Sequence, residues 1–103
     1  MDLFETLAEP SRRRILELLR TGERSVGELV DALGASQPAV SRHLRVLREA
    51  GLVEARVDAQ RRLYRLRPAT LRELDAWLEP YRLLWSGRLD DLERHLNGME
   101  DDD

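Results

Sequence analysis

Cysteine is absent from the 103 residues, which excludes disulfides, thiolate metal sites and cysteine redox sensing within the chain. Lysine is missing as well, and all 17 basic residues are arginine. No stretch approaches the roughly 18 consecutive apolar residues that a membrane span requires. The opening Met1-Asp-Leu-Phe-Glu5 is acidic where a signal peptide is basic, so the expectation is a cytoplasmic protein with no membrane partner. Equally absent are a glycine-rich phosphate loop and any serine with a histidine and carboxylate partner by motif. Neither a catalytic site nor a cofactor is therefore expected.

What is present suits one modest core, since 42% of the residues are hydrophobic. The net charge of −3 conceals an uneven distribution. Residues 1–35 carry five arginines and seven acids, residues 36–67 eight arginines and three acids, and residues 68–103 four arginines and ten acids. The middle segment alone is strongly basic. Phosphate contacts depend on local positive charge, so the acidic total does not exclude a nucleic-acid partner.

That basic segment contains the stretch around which the chain is organised, Gly34 to Gly51. Ser36 is a helix N-cap, Pro38 is tolerated in the first turn, and Gly51 supplies a left-handed stop. Between these signals Val40, Leu44 and Leu47 form an apolar stripe at helical spacing, while Gln37, Ser41, Arg42 and Arg45 face elsewhere. Amide and guanidinium forks pair with purine edges and hydroxyls reach bases or phosphates, so this polar face has the chemistry to read a duplex. His43 falls between the two faces, where a packing or backbone-bonding role is expected ahead of a base contact or a pH switch.

The flanking segments give this helix its context. Leu3, Phe4 and Leu7 open the chain with a short amphipathic helix, and Pro10 to Thr21 follows with Ile15, Leu16, Leu18 and Leu19 inward. Arg12, Arg13 and Arg14 sit where cations oppose the helix dipole, and an ion pair with Glu9 or Glu17 is the expected compensation, ahead of a phosphate contact. Ser25-Val-Gly-Glu28 reads as a capping box for a helix ending at Gly34. Two helices joined by so short a glycine-containing turn form a helix-turn-helix, whose second helix enters the major groove.

After Gly51 the period changes to that of strands. The runs 52–57 and 62–66 read as a β-hairpin with Leu52, Val57, Leu63 and either Tyr64 or Leu66 inward, leaving Arg56, Arg61, Arg62 and Arg65 outward or at the tip. A basic hairpin beside a recognition helix is a wing. Thr70-Leu-Arg-Glu73 reads as a second capping box, Glu79-Pro80 as a break or kink, and Pro80 as the start of a further helix. Leu78, Trp85, Leu92 and Met99 recur every seven residues with Leu89 and Leu96 between them, an apolar seam suited to pairing with a second copy.

Three segments carry a family resemblance: Pro10-Ser-Arg-Arg-Arg-Ile-Leu-Glu-Leu-Leu19, Ser36-Gln-Pro-Ala-Val-Ser-Arg-His-Leu44 and Leu47-Arg-Glu-Ala-Gly-Leu-Val53. Over nearly its whole length the chain resembles the ArsR family of bacterial winged helix-turn-helix repressors. The resemblance implies a mainly α fold with a small β-hairpin, in the order α-α-α-α-β-β-α(α). Residues 1–98 would form a single domain that includes the dimerisation helices, with an acidic tail over 99–103.

It also implies a homodimer that binds double-stranded DNA at an inverted repeat and represses transcription, including that of its own promoter. The DNA contacts it implies are Gln37, Pro38, Ser41 and Arg42 on the recognition helix, with Arg61 and Arg62 on the wing, and the reading of the helix itself adds Ser36 and Arg45. The implied dimer surface is Leu3, Phe4 and Leu7 with Tyr81, Trp85, Leu89, Leu92 and Leu96.

Many relatives sense metals through cysteines or through Asp and His ligands, and this sequence departs from both patterns. Asp91 and His95, one turn apart, are the nearest surviving pair, so no metal is expected and a metal-responsive repressor with a dimer-interface site stays an alternative. The effector, if one exists, is unknown from the sequence. A second alternative, from another class, is a winged-helix module that binds protein rather than DNA.

Overall fold

The protein was analysed as a computed structural model that describes the backbone of residues 1–101 and their side chains, except those of 88–91 and 99–101. Side-chain expectations for Leu89, Asp91, Met99 and the acidic tail lie outside the described residues. The elements run α1 (Leu3–Ala8), α2 (Pro10–Leu19), β1 (Arg24–Ser25), α3 (Val26–Leu33), α4 (Gln37–Glu49), β2 (Val53–Asp58), β3 (Arg61–Leu66) and α5 (Pro68–Asp101). Packing divides them into two compact units, Met1–Leu71 and Arg72–Asp103.

Local signals set the helix limits in the first unit. Asp2 caps α1 by accepting from the Glu5 amide at 2.8 Å, and Glu9 caps α2 by accepting from the Ser11 amide at 3.1 Å. Ser25 and Glu28 exchange bonds as a full capping box, at 3.2 and 3.1 Å, and Gly34 closes α3 in the left-handed conformation. Gly51, at φ 77°, performs the same task after α4, where the Leu52 amide reaches back to the Leu47 carbonyl at 2.9 Å. A Cβ at this glycine would lie 3.0 Å from the Thr70 hydroxyl oxygen, so backbone conformation and space both demand glycine there.

The core gathers Ile15 and Leu19 from α2, Leu29 from α3, and Val40, Leu44 and Leu47 from α4, with Leu52, Val53 and Tyr64 below them. Leu16 and Leu18, also expected inward, are only partly buried against this cluster. The hairpin belongs to a three-stranded antiparallel sheet of order β1-β3-β2, because Arg24 and Ser25 pair with Tyr64 and Leu63. Two residues of strand between helices leave no alternation to read, which is why β1 was not legible in the sequence. The turn at Ala59-Gln60 dispenses with glycine by placing Ala59 at φ 58°, at a cost of about 1–2 kcal/mol for a residue with a Cβ.

Four expectations require correction. Val57 does not turn inward but is 72% exposed. The register sets Val53 opposite Leu66, Ala55 opposite Tyr64 and Val57 opposite Arg62, so this sheet face leaves the core beyond Tyr64. Arg12 and Arg13 form no ion pair with Glu9 or Glu17. Arg12 Nε donates to the Thr6 carbonyl at 2.7 Å, and Arg13 donates to the Leu7 and Ala8 carbonyls at 2.7 and 3.0 Å. They compensate the C-terminal end of α1, where cations are favoured, rather than the start of their own helix.

The remaining two corrections concern α5. Thr70 is not an N-cap; it lies inside α5, which begins at Pro68, and its hydroxyl donates to the Gly51 carbonyl at 2.7 Å. Pro80 does not end the helix, which continues through it. Proline removes one amide donor, but Arg82 pairs with Asp75 across it, tying the turn before the proline to the turn after.

Candidate nucleic-acid interface

The packing of α4 decides what the site presents. Val40, Leu44 and Leu47 are at most 1% exposed, so the helix is held by its apolar stripe and cannot rotate without opening the core. Its start is held by Ser36, whose side chain accepts from the Ala39 amide at 3.3 Å. The opposite face, Gln37, Pro38, Ser41, Arg42, Arg45 and Arg48, is exposed to solvent. His43 is half-buried between the two faces.

Strand β3 brings Arg62 to the same place. A cleft of about 530 Å³ lies between α4 and the sheet, lined by Pro38, Ser41, Arg42, Arg45 and Arg48 from the helix, Arg62 and Tyr64 from the strand, and Val26. The structure thus brings together Pro38, Ser41, Arg42, Arg45 and Arg62 of the residues expected from the sequence. Ser36 and Gln37 are exposed at the helix start but do not line the cleft, and Arg61 lies outside it, 3.6 Å from Asp58.

Arg48, Tyr64 and Val26 were missed. Arg48 had a signal, since Arg42, Arg45 and Arg48 recur every three residues and therefore share one side of the helix. Tyr64 and Val26 had none beyond their apolar character.

Charge pairing separates this cleft from its surroundings. Arg56 meets Glu23 at 2.7 Å, Arg65 meets Glu54 at 2.6 Å, and Arg67 lies 3.9 Å from the same Glu54. The Arg56 hydrogen bond holds the Glu23 carboxyl below the usual glutamate range. Bonding to Ser25 likewise lowers Glu28, and the Ser11 amide lowers Glu9, with a smaller contribution from the nearby His43. The side chains of Arg42, Arg45, Arg48 and Arg62 have no ion pair or hydrogen bond among the described residues. Four guanidinium groups around one cleft have the charge and the forked donor geometry that a polyanion requires. Among the described residues no group of three His, Asp or Glu side chains is placed to hold a metal.

The family model for "Bacterial regulatory protein, arsR family" matches residues 9–55, from the start of α2 into β2. An HTH-type transcriptional regulator of Mycobacterium tuberculosis is 44% identical over 78 residues, which is 76% of this chain and 73% of that protein. The chain belongs to the ArsR family of bacterial regulatory proteins. The biofilm growth-associated repressor of Xylella fastidiosa is 42% identical over 73 residues, 71% of this chain and 64% of the repressor.

Among solved structures, a possible transcriptional regulator for arsenical resistance superposes with a TM-score of 0.72 at 43% identity, covering 84% of this chain and 96% of that one. The homodimeric winged helix-turn-helix DNA-binding domain of a possible ArsR-family regulator from Mycobacterium bovis superposes with a TM-score of 0.63 at 35% identity, covering 76% of this chain and 72% of that domain. The protein is an ArsR-family winged helix-turn-helix DNA-binding regulator.

Proposed function

We propose that this ArsR-family regulator is a homodimeric repressor that binds an inverted-repeat operator, its own promoter included, in the bacterial cytoplasm. The observation that carries the reading is the convergence on the cleft between α4 and β3 of the Arg42, Arg45, Arg48 and Arg62 side chains, all unpaired among the described residues. Elsewhere on the sheet, Arg56 and Arg65 are neutralised by glutamates.

In this reading Gln37, Ser41 and Arg42, nearest the start of α4, read base edges, while Ser36 holds the helix start against the backbone. Arg45, Arg48, Arg61 and Arg62 neutralise phosphates, and Pro38 packs against the groove wall. Two copies set their recognition helices about 10 base pairs apart, so operator symmetry mirrors protein symmetry. Bound protein represses by blocking polymerase.

Exposed apolar surface supports the dimer. Phe4 of α1 is 50% exposed, and on α5 Tyr81, Trp85, Leu92 and Leu96 are between 47 and 54% exposed, more than a small monomer leaves to water without use. Leu3 and Leu7 pack partly against the core beside Phe4, and Leu89 continues the sequence repeat. The similarity to the homodimeric M. bovis domain supports this assembly.

The test is selection of bound DNA from a random pool, followed by titration at several salt concentrations and sedimentation of the free protein. Expected are a two-fold symmetric site, steep loss of affinity with salt, and a dimer at micromolar concentration. A monomer that recovers no sequence from the pool and elutes early from heparin would instead support a protein-binding module.

A further inference from the structure

The wing carries an apolar residue that the protein itself does not cover. Val57 is 72% exposed, whereas every other valine is buried or half-buried, and it stands directly opposite Arg62 in the β2-β3 ladder. Directly paired residues of antiparallel strands point to the same face, with Cβ atoms about 4.5–5.5 Å apart. Val57 therefore shares its sheet face with Arg62 and Tyr64, both of which line the arginine cleft. The other face at this level bears Arg56 and Asp58 on β2 with Arg61 and Arg65 on β3, where the nearest acids are already engaged.

We infer that Val57 is a DNA contact: its methyl groups pack on the carbon face of a deoxyribose beside the phosphate held by Arg62. The inference rests on the DNA-binding reading above and adds an apolar element to it. The charge around Val57 selects the occupant. Four unpaired guanidinium groups hold this side of the wing against a polyanion, and in a nucleic-acid strand the carbon surface next to each phosphate is its sugar. An apolar protein partner would have to approach the same cations without neutralising them. Sugar contact carries no base code, so Val57 strengthens binding and fixes how far the wing closes on the duplex without choosing the sequence.

The experiment compares the full chain with Val57→Thr, Val57→Ile and Arg62→Gln, titrating each against the selected operator and a scrambled duplex at several salt concentrations. Threonine preserves shape and strand propensity while exchanging a methyl for a hydroxyl. Val57→Thr is expected to lower affinity about three- to tenfold on both duplexes, with an unchanged salt slope, an unchanged melting temperature without DNA and an unchanged sedimentation coefficient. Val57→Ile should retain wild-type affinity. Arg62→Gln should lower affinity and reduce the salt slope by about 0.9.

Operator binding by Val57→Thr equal to that of the wild type would overturn the inference while leaving the DNA-binding reading intact. A change in sedimentation of the free variant would overturn it in favour of a protein contact. A wild-type chain that binds neither duplex would overturn the underlying reading itself.

Discussion

Two sets of arginines in this molecule differ in nothing but their surroundings. At the junction of α1 and α2, Arg12 and Arg13 donate to the carbonyls that end α1, and on the far side of the sheet Arg56 and Arg65 are held by Glu23 and Glu54. Around the cleft, Arg42, Arg45, Arg48 and Arg62 find no acceptor among the described residues. The first set spends its hydrogen-bonding capacity inside the protein, whereas the second leaves it unspent among the described residues. Since the chain has no lysine, every cation has the same flat, forked donor geometry, and the presence or absence of an intramolecular acceptor alone separates structure from function.

Removing members of each set can break this contrast. The largest effect is expected from Arg42→Ala, which should cost about 1–3 kcal/mol of operator binding and even out preference among sequences. A competition titration against single-base variants of the operator would show it, and retained discrimination would move the reading role to another residue. Arg12→Ala should lower unfolding stability by about 1–2 kcal/mol, because charged hydrogen bonds to the Thr6 and Glu5 carbonyls are lost, yet leave the salt dependence of binding unchanged. Urea denaturation and a salt titration on the same sample separate the two outcomes.

Smaller differences sharpen it. Arg48→Ala should weaken binding to all duplexes alike and reduce the salt slope by about 0.9, whereas Arg65→Ala should leave the slope alone. Arg65→Ala should also change stability by no more than about 0.2–1 kcal/mol, since its pair with Glu54 is solvent-exposed. An equal slope for both variants would erase the distinction between free and engaged cations.

Acid titration probes the engaged set in another way. Glu23 has a lower pKa folded than unfolded because Arg56 donates to it, so the folded state binds fewer protons. Its stabilising contribution is complete above the ordinary glutamate pKa of about 4.3 and is lost as the pH falls through the lower folded value. Glu23→Gln should therefore flatten part of the acid limb of the stability curve, with Glu9 and Glu28 retaining the rest. Unfolding midpoints collected between about pH 6 and pH 3 would reveal the difference, and superimposable curves would remove Glu23 from the account.

Much of the fold was legible because its signals are local. The capping box at Ser25, the N-cap at Ser36 and the stops at Gly34 and Gly51 all stand where the sequence placed them, since each depends on bonds within a few residues. The two faces of α4 were equally clear from the spacing of Val40, Leu44 and Leu47. The failures share a different cause. β1 depends on pairing with residues almost forty positions later, Val57 was misassigned because alternation does not say where the core ends, and Pro80 was overruled by the helix on either side of it. Arg42, Arg45 and Arg62, expected from the sequence as DNA contacts, line one cleft, but nothing in the sequence distinguished Arg62 from Arg65 as free and paired.

The sequence by itself determined where α3 and α4 begin and end, which stripe of α4 is apolar, and that positive charge gathers in the middle of the chain, because these are properties of neighbours along the backbone. Only the tertiary structure decided which arginines stay available, since the acceptor that silences Arg56 lies 33 residues away and reaches it only once the sheet has formed. It also decided that Val57 faces outward beside Arg62, because burial depends on what stands opposite a strand rather than on the strand's own alternation.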